Sequence, residues 1–204
     1  MIFDFLFKKE YISCERLEYG INISPNGIEY CCMYNPKSDK REPVVPIKNG
    51  QYDIKSFLKI KKQVLKKQKK GIINPGCIGC YNLQKGNWNT KDFYKYIVVN
   101  LNYKCNSDCC YCFTHKNKLA FNSLKEIPLL NIIKKGIKKK LILPNSEIHL
   151  GGGEPTLHTE FEDILNELLD YGCNNIKIYS SGVKYSKAIE KAIDKNACKL
   201  YIST

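Results

Sequence analysis

The second half of the chain alternates between two hydrophobic rhythms, and this restricts the fold more than any other feature. From about Phe93, YKYIVVNLN is a nearly continuous apolar run, as expected of a parallel strand covered on both faces. IPLLNIIKKGIKKK, with Pro128 at a first helical turn, predicts a helix. SEIHL reads as a second strand and runs straight into GGGEP. TEFEDILNELLDYG predicts a helix opened by a capping box of Thr159 with Glu162. Phe161, Ile164, Leu165, Leu168 and Leu169 form its apolar stripe, and Gly172 ends it. NIKIYSSG, KAIEKAI and KLYIST predict a third strand, a helix and a fourth strand. A β-α-β-α-β-α-β order requires parallel strands joined by right-handed crossovers. The expected class is therefore α/β, a partial (βα) TIM-like barrel over 93–204. Four strands leave one apolar sheet edge open where the sequence stops, so a truncated chain is expected.

Residues 1–92 predict a small cysteine-containing α+β region. LEYGINIS and GIEYCC flank Pro25-Asn26-Gly27, the signal of a β-hairpin. A lysine-rich helix follows, with Ile54, Phe57, Leu58 and Leu65 inward and an end at Gly71. NPGCIGC then carries Cys77 and Cys80.

The net charge of +13 invites a nucleic-acid reading. Against it, Arg16 and Arg41 are the arginines among 33 basic residues, whereas readers of phosphates and base edges favour the guanidinium fork. The densest run, KIKKQVLKKQKK (Lys59–Lys70), reads as the solvated side of a helix. No apolar run of about 18 residues exists to span a bilayer. Asp4 and the lack of a basic leader in MIFDFLFKKE argue against a secretory signal. Eleven cysteines in such a chain point to metal or redox chemistry in a cytoplasmic protein, because the cytosol keeps thiols reduced.

CNSDCCYC, Cys105 to Cys112, sits at the carboxyl end of the first strand of this half, the rim on which barrels of this kind place their active sites. Cys105, Cys109 and Cys112 have the spacing C-x3-C-x2-C, which lets a loop turn three sulfurs toward one point; Cys110 should point elsewhere. Structural zinc and ordinary electron-transfer clusters take four ligands. A 4Fe–4S cluster on three thiolates keeps one iron open, while His115 could complete a zinc site. GGGEP follows the next strand and so shares the rim; its glycines allow close backbone approach, and Glu154 could accept from a cationic amine.

With Tyr111 before the last cysteine, the three-thiol loop and Gly152-Gly153-Glu154-Pro155 resemble the radical S-adenosylmethionine (SAM) superfamily. Ser180-Ser181-Gly182 is similar to that family's polar-Asn-Gly signal after the third strand, and Tyr201–Thr204 to its fourth-strand serine motif. The resemblance implies a 4Fe–4S cluster on Cys105, Cys109 and Cys112, with SAM chelating the open iron. It places Gly152, Gly153 and Glu154 at the methionine amino group and Tyr111 by the adenine. Ser181 and Ser203 become candidates for the ribose or carboxylate, although both are equally well read as strand-end hydrogen-bonders. The implied reaction is reductive cleavage of SAM to a 5′-deoxyadenosyl radical that takes hydrogen from a substrate C–H. A flavodoxin or ferredoxin is implied as reductant. The substrate, a peptide, a sugar or another small molecule, is not specified.

Cys14, Gly27 and Cys32, spaced C-x12-G-x4-C, resemble the opening of the twitch or SPASM auxiliary-cluster module, with Cys77 and Cys80 completing four ligands. Strand alternation puts Cys32 with Ile28 and Tyr30 on the inward side. Placement before the barrel departs from the family's usual order. A second 4Fe–4S cluster, a zinc ion and unligated thiols all remain open for these four. A second cluster would make net oxidation of a substrate available. The rival to an enzyme is a non-catalytic zinc-bound module, or a cluster-binding fragment unable to turn over. Cys173 and Cys198 read as core thiols, and His149 and His158 as packing or capping residues.

Overall fold

The computed structural model describes residues 10–30, 44–47, 51–88, 94–110, 112 and 126–202. The chain runs β1 (Tyr11–Ser13), α1 (Glu15–Tyr19), β2 (Gly20–Ser24), β3 (Gly27–Glu29), β4 (Val45–Pro46), α2 (Ile54–Lys69), β5 (Gln84–Gly86), β6 (Tyr96–Asn102), α3 (Leu130–Lys138), β7 (Glu147–Gly152), α4 (Phe161–Asp170), β8 (Ile176–Ser180), α5 (Lys187–Asp194) and β9 (Cys198–Ile202). Among the described residues, seven strands form one sheet in the order β4-β3-β2-β6-β7-β8-β9, and β1 pairs with β5 in a separate ribbon. Strands β2, β6, β7, β8 and β9 are mutually parallel; β3 and β4 are antiparallel additions.

The parallel half follows from its sequence. Ile97, Val99, Ile148, Leu150, Ile176 and Ile178 point to one face and pack against Leu129, Ile133, Phe161, Ile164, Leu165, Leu168, Ala188, Ile189 and Ala192 of the three crossover segments. Strand alternation turns Val98, Asn100, Glu147, His149, Lys177, Tyr179 and Tyr201 to the opposite face. The result is a mixed α/β fold whose parallel sheet is compatible with a partial TIM-like barrel. Ile21 and Ile23 of β2 stand in register with Ile97 and Val99, and Ile28, Val45 and Phe57 join the same core. The sheet therefore joins strands from both halves of the sequence, and the hairpin covers the β6 edge.

Three local expectations are corrected. Residues 15–19 are helical, so β2 starts at Gly20: the Cys14 thiol caps α1, its Sγ accepting from Leu17 N–H at 3.4 Å. No capping box forms at Thr159. Glu160 instead accepts from Leu129 and Leu130 N–H at the start of α3, and Glu162 accepts from Ser186 Oγ and Ala188 N–H at the start of α5. Each carboxylate caps a neighbouring helix instead of its own, which ties the three crossovers together.

On α2 the expected inward Leu58 is 39 % exposed, and Lys61 is buried in its place. Lys61 Nζ donates to Gly20 O at 2.7 Å and lies 4.6 Å from the Tyr94 ring centroid. Burial lowers the Lys61 ammonium from 10.5 to about 7, against opposing pulls from Glu18 and Cys14. Between those two values the unfolded chain holds a proton that the folded chain does not, so the Lys61 contribution to stability rises with pH. Relative to Lys61→Met, the wild type should gain stability from pH 7 to pH 10.5; urea unfolding of both proteins at the ends of this window checks it. No helix among the described residues is long and apolar enough to cross a membrane.

Candidate functional site

The carboxyl ends of β6 and β7 are joined more tightly than ordinary parallel neighbours. Gly153 N–H donates to Asn102 O at 2.7 Å and Glu154 N–H to Lys104 O at 2.7 Å. Neither contact tolerates a side chain. At Gly152 (φ +118°) a Cβ would stand 2.3 Å from Asn102 O, and at Gly153 it would stand 2.1 Å from Lys104 O. The glycines thus dock the β7 rim onto the chain segment that leads directly into Cys105.

Glu154 fastens the third strand to this junction. Its side chain is buried, and Oε1 accepts from Thr156 N–H (3.1 Å), Thr156 Oγ1 (2.6 Å) and Ser180 Oγ (2.8 Å). Oε2 accepts from Ser181 N–H (2.6 Å) and Ser181 Oγ (2.8 Å). Burial alone would raise this carboxyl. The bonds from Thr156 and Ser181 outweigh it and hold the group below its ordinary value. Both oxygens therefore already serve the chain's own donors. Another acceptor lies at the same junction: Asn102 is buried, its Nδ2 donates to Glu154 O at 3.2 Å, and its Oδ1 has no hydrogen-bond partner. Sequence reading passed over Asn102, as well as Thr156 and Asn106, whose side-chain amide lies 3.3 Å from Ser181 Oγ. Only the strand-end position of Asn102 could have marked it.

Cys105, Cys109 and Cys112 are half-buried on the loop beyond β6, with Cys112 N–H bonded to Cys109 O at 3.0 Å; Cys110 is exposed. Tyr111, His115 and Ser203 lie outside the described residues. Among the described residues no three Cys, His, Asp or Glu side chains form a ready metal-holding group. The donor set fits a cluster-and-SAM site in chemistry: three accessible thiols beside a junction with a buried, unpartnered amide oxygen, which an ammonium would satisfy.

Of the amino-terminal thiols among the described residues, Cys14 and Cys80 sense each other electrostatically, but Cys14, Cys77 and Cys80 form no metal-holding group. Cys14 packs with Leu17 and Leu65 in a small apolar cluster. Burial pushes its thiol up, backbone N–H groups of Leu17 and Arg16 oppose this, and Cys80 raises it further, so Cys14 and Cys80 lie within electrostatic range. Cys77 ends a 3-10 turn, Pro75–Cys77, and Cys80 N–H donates to Cys77 O at 3.0 Å. Asn74, at the start of that turn, accepts from Gly76 N–H, and its Nδ2 donates to Tyr30 Oη at 3.0 Å. Tyr30 immediately precedes Cys31 and Cys32, which lie outside the described residues. Burial pushes the Cys173 thiol up to about 11, as suits a core thiol.

His158 is buried; its Nδ1 accepts from Glu160 N–H at 3.1 Å, leaving Nε2–H for Ile127 O at 3.3 Å. Burial lowers its ring below the ordinary value, consistent with a neutral packing and capping residue.

The family model for the radical SAM superfamily matches residues 99–203, from mid-β6 past the end of β9. A curated relative described as "Probable GTP 3',8-cyclase" from Thermoplasma volcanium is 29 % identical over 85 residues, covering 42 % of this chain. The alignment spans 25 % of that relative's length. No solved structure matches. The matched region holds the cysteine loop, the glycine junction and the Ser180–Ser181 rim, and it makes up more than half of the sequence: the chain belongs to the radical SAM superfamily.

Proposed function

We propose that the protein is a radical SAM enzyme in which Cys105, Cys109 and Cys112 hold a 4Fe–4S cluster and the β6–β7 junction binds the amino acid end of SAM. Family membership supports the cofactors, and the single observation that carries the placement is the junction itself. Two glycines admit no side chain there, and Asn102 Oδ1 is buried without a partner beside them. When bound, the cluster supplies the electron that cleaves SAM and yields a 5′-deoxyadenosyl radical. The protein's own part is positioning. Gly152 and Gly153 keep the cysteine loop against the sheet, Asn102 offers an acceptor to an ammonium, and Glu154 fixes Ser180 and Ser181 beside it. Ser181, already tied to Glu154 and Asn106, bounds the same space on the β8 side.

Cys14, Cys32, Cys77 and Cys80 are proposed as ligands of a second, auxiliary 4Fe–4S cluster, in the manner of a twitch module placed ahead of the barrel. The electrostatic proximity of Cys14 and Cys80, and the Tyr30–Asn74 bond between the two cysteine-bearing segments, support that grouping. A flavodoxin or ferredoxin would supply electrons. The Thermoplasma relative is named for a reaction on GTP, but an alignment over a quarter of its length carries no claim on GTP here.

Anaerobic reconstitution tests the reading. The expected product is brown protein with roughly eight iron atoms per chain that, once reduced, releases 5′-deoxyadenosine from SAM. Cys109→Ala should abolish that release, and Cys80→Ala should lose about four iron atoms. Colourless protein holding two zinc ions, or deoxyadenosine formation that survives Cys109→Ala, would overturn it.

A further inference from the structure

On the sheet face opposite the helices, three side chains form a hydrogen-bonded line that the cofactor site does not use. His149 Nε2 lies 2.6 Å from Glu147 Oε1, and His149 Nδ1 lies 3.1 Å from Tyr179 Oη. A carboxylate can only accept, so the ring hydrogen sits on Nε2 and the Nδ1 lone pair faces the phenol, which donates to it. Burial lowers His149 below its ordinary value, with Glu147 pulling the other way, which leaves a neutral imidazole at neutral pH. Lys177 Nζ, 3.0 Å from the same Glu147 oxygen, fixes that carboxylate. The rings are also stacked. His149 and Tyr179 have centroids 5.7 Å apart at 25°, and Tyr179 and Tyr201 have centroids 5.0 Å apart at 15°.

The place of Tyr179 matters as much as its partners. It is 40 % exposed on this face. A Cβ at Gly151 would touch Tyr179 Cβ at 3.7 Å, so the phenol ring starts beside the first glycine of the rim. Ser180 and Ser181, the next two residues, are the ones Glu154 holds. A phenol O–H bond is weaker than an alkyl C–H bond, so a carbon-centred radical formed at this rim would take its hydrogen readily.

We propose that Tyr179 is the hydrogen-atom donor that ends the radical reaction in this site, with His149 and Glu147 as the pair that positions its hydroxyl. The inference rests on the radical SAM reading above. In the step, the Tyr179 O–H bond breaks and a C–H bond forms on the carbon-centred radical, leaving a tyrosyl radical. One electron from the flavodoxin- or ferredoxin-class reductant and one proton from solvent, to which the phenol is 40 % exposed, then rebuild the O–H bond. In sum, the carbon radical, one electron and one proton give one C–H bond.

The test uses the reconstituted, reduced full chain with SAM in deuterium oxide, without added substrate, and weighs the 5′-deoxyadenosine formed. The exchanged Tyr179 O–D should deliver one deuterium to the wild-type product, and Tyr179→Phe should lose that label. Nitrogen-15 NMR of the histidine rings before reconstitution supplies a readout independent of turnover. His149 should carry its hydrogen on Nε2, and Glu147→Ala should abolish that preference. Unlabelled deoxyadenosine from the wild type, label that persists in Tyr179→Phe, or a hydrogen on His149 Nδ1 would each overturn the assignment. A wild type that releases no deoxyadenosine overturns the parent reading, and this one with it, and is distinguished from the other failures by the missing product.

Discussion

Gly153→Ala should detach the cysteine loop from the sheet, at a stability cost on the order of 4 kcal/mol. The added Cβ would meet Lys104 O at 2.1 Å, Lys104 C at 2.7 Å and Tyr103 C at 2.8 Å. All three are backbone atoms, so no flexible side chain can swing aside and the strands themselves must part. Parting them breaks the Gly153 N–H bond to Asn102 O and the Glu154 N–H bond to Lys104 O, leaving buried donors without partners. The control is Gly172→Ala. Gly172, unlike Gly153, has a positive φ, +91°, and nothing within 4 Å of the added atom, so only backbone strain of about 1 kcal/mol is expected there. Urea unfolding of both variants measures the difference, and iron uptake reports the loop. Equal costs for the two would show that the close approach at Gly153 contributes nothing.

The features read correctly from the sequence are those governed by short-range periodicity. The apolar stripe of α4, the strands YIVVNLN and EIHL, and the rim position of GGGEP depend on residues a few places apart and on a hydrophobic face that must be covered. What the sequence hid depends on partners far away along the chain. Lys61 looked like one more solvated lysine; its burial depends on a carbonyl 41 residues earlier, at Gly20. Glu162 looked like a capping partner for Thr159, yet it serves the helix 24 residues downstream through Ser186. The glycines at 152 and 153 were read as room for a ligand. Their first constraint is instead the neighbouring strand's backbone, and the open acceptor beside them belongs to Asn102, which no motif singles out. The parallel pairing of β2 with β6 was hidden for a related reason. A hairpin can be recognised from its turn, but the sheet edge it joins is set by which apolar edge is left to cover.

Glu154→Gln is the sharper probe of how the rim is assembled, because it keeps the shape and changes only the hydrogen bonding. The carboxylate accepts on both oxygens, from Thr156, Ser180 and Ser181. A glutamine retains one acceptor oxygen and turns an NH2 toward groups that can themselves only donate, or must rotate away. The expected loss is about 3 kcal/mol, the scale of breaking one side of a buried charged network. The pH dependence fixes the cause. The folded carboxyl is held below its ordinary value of 4.5, so its contribution is complete above that value and is lost as the pH falls through the lower folded one. The stability gap between wild type and Glu154→Gln should therefore be constant near neutral pH and close in acid. A gap that was absent at neutral pH would mean that shape, and not charge, holds the serines of β8 against the glycines of β7. Glu154 would then be a spacer, replaceable without consequence for the order of the three strand ends.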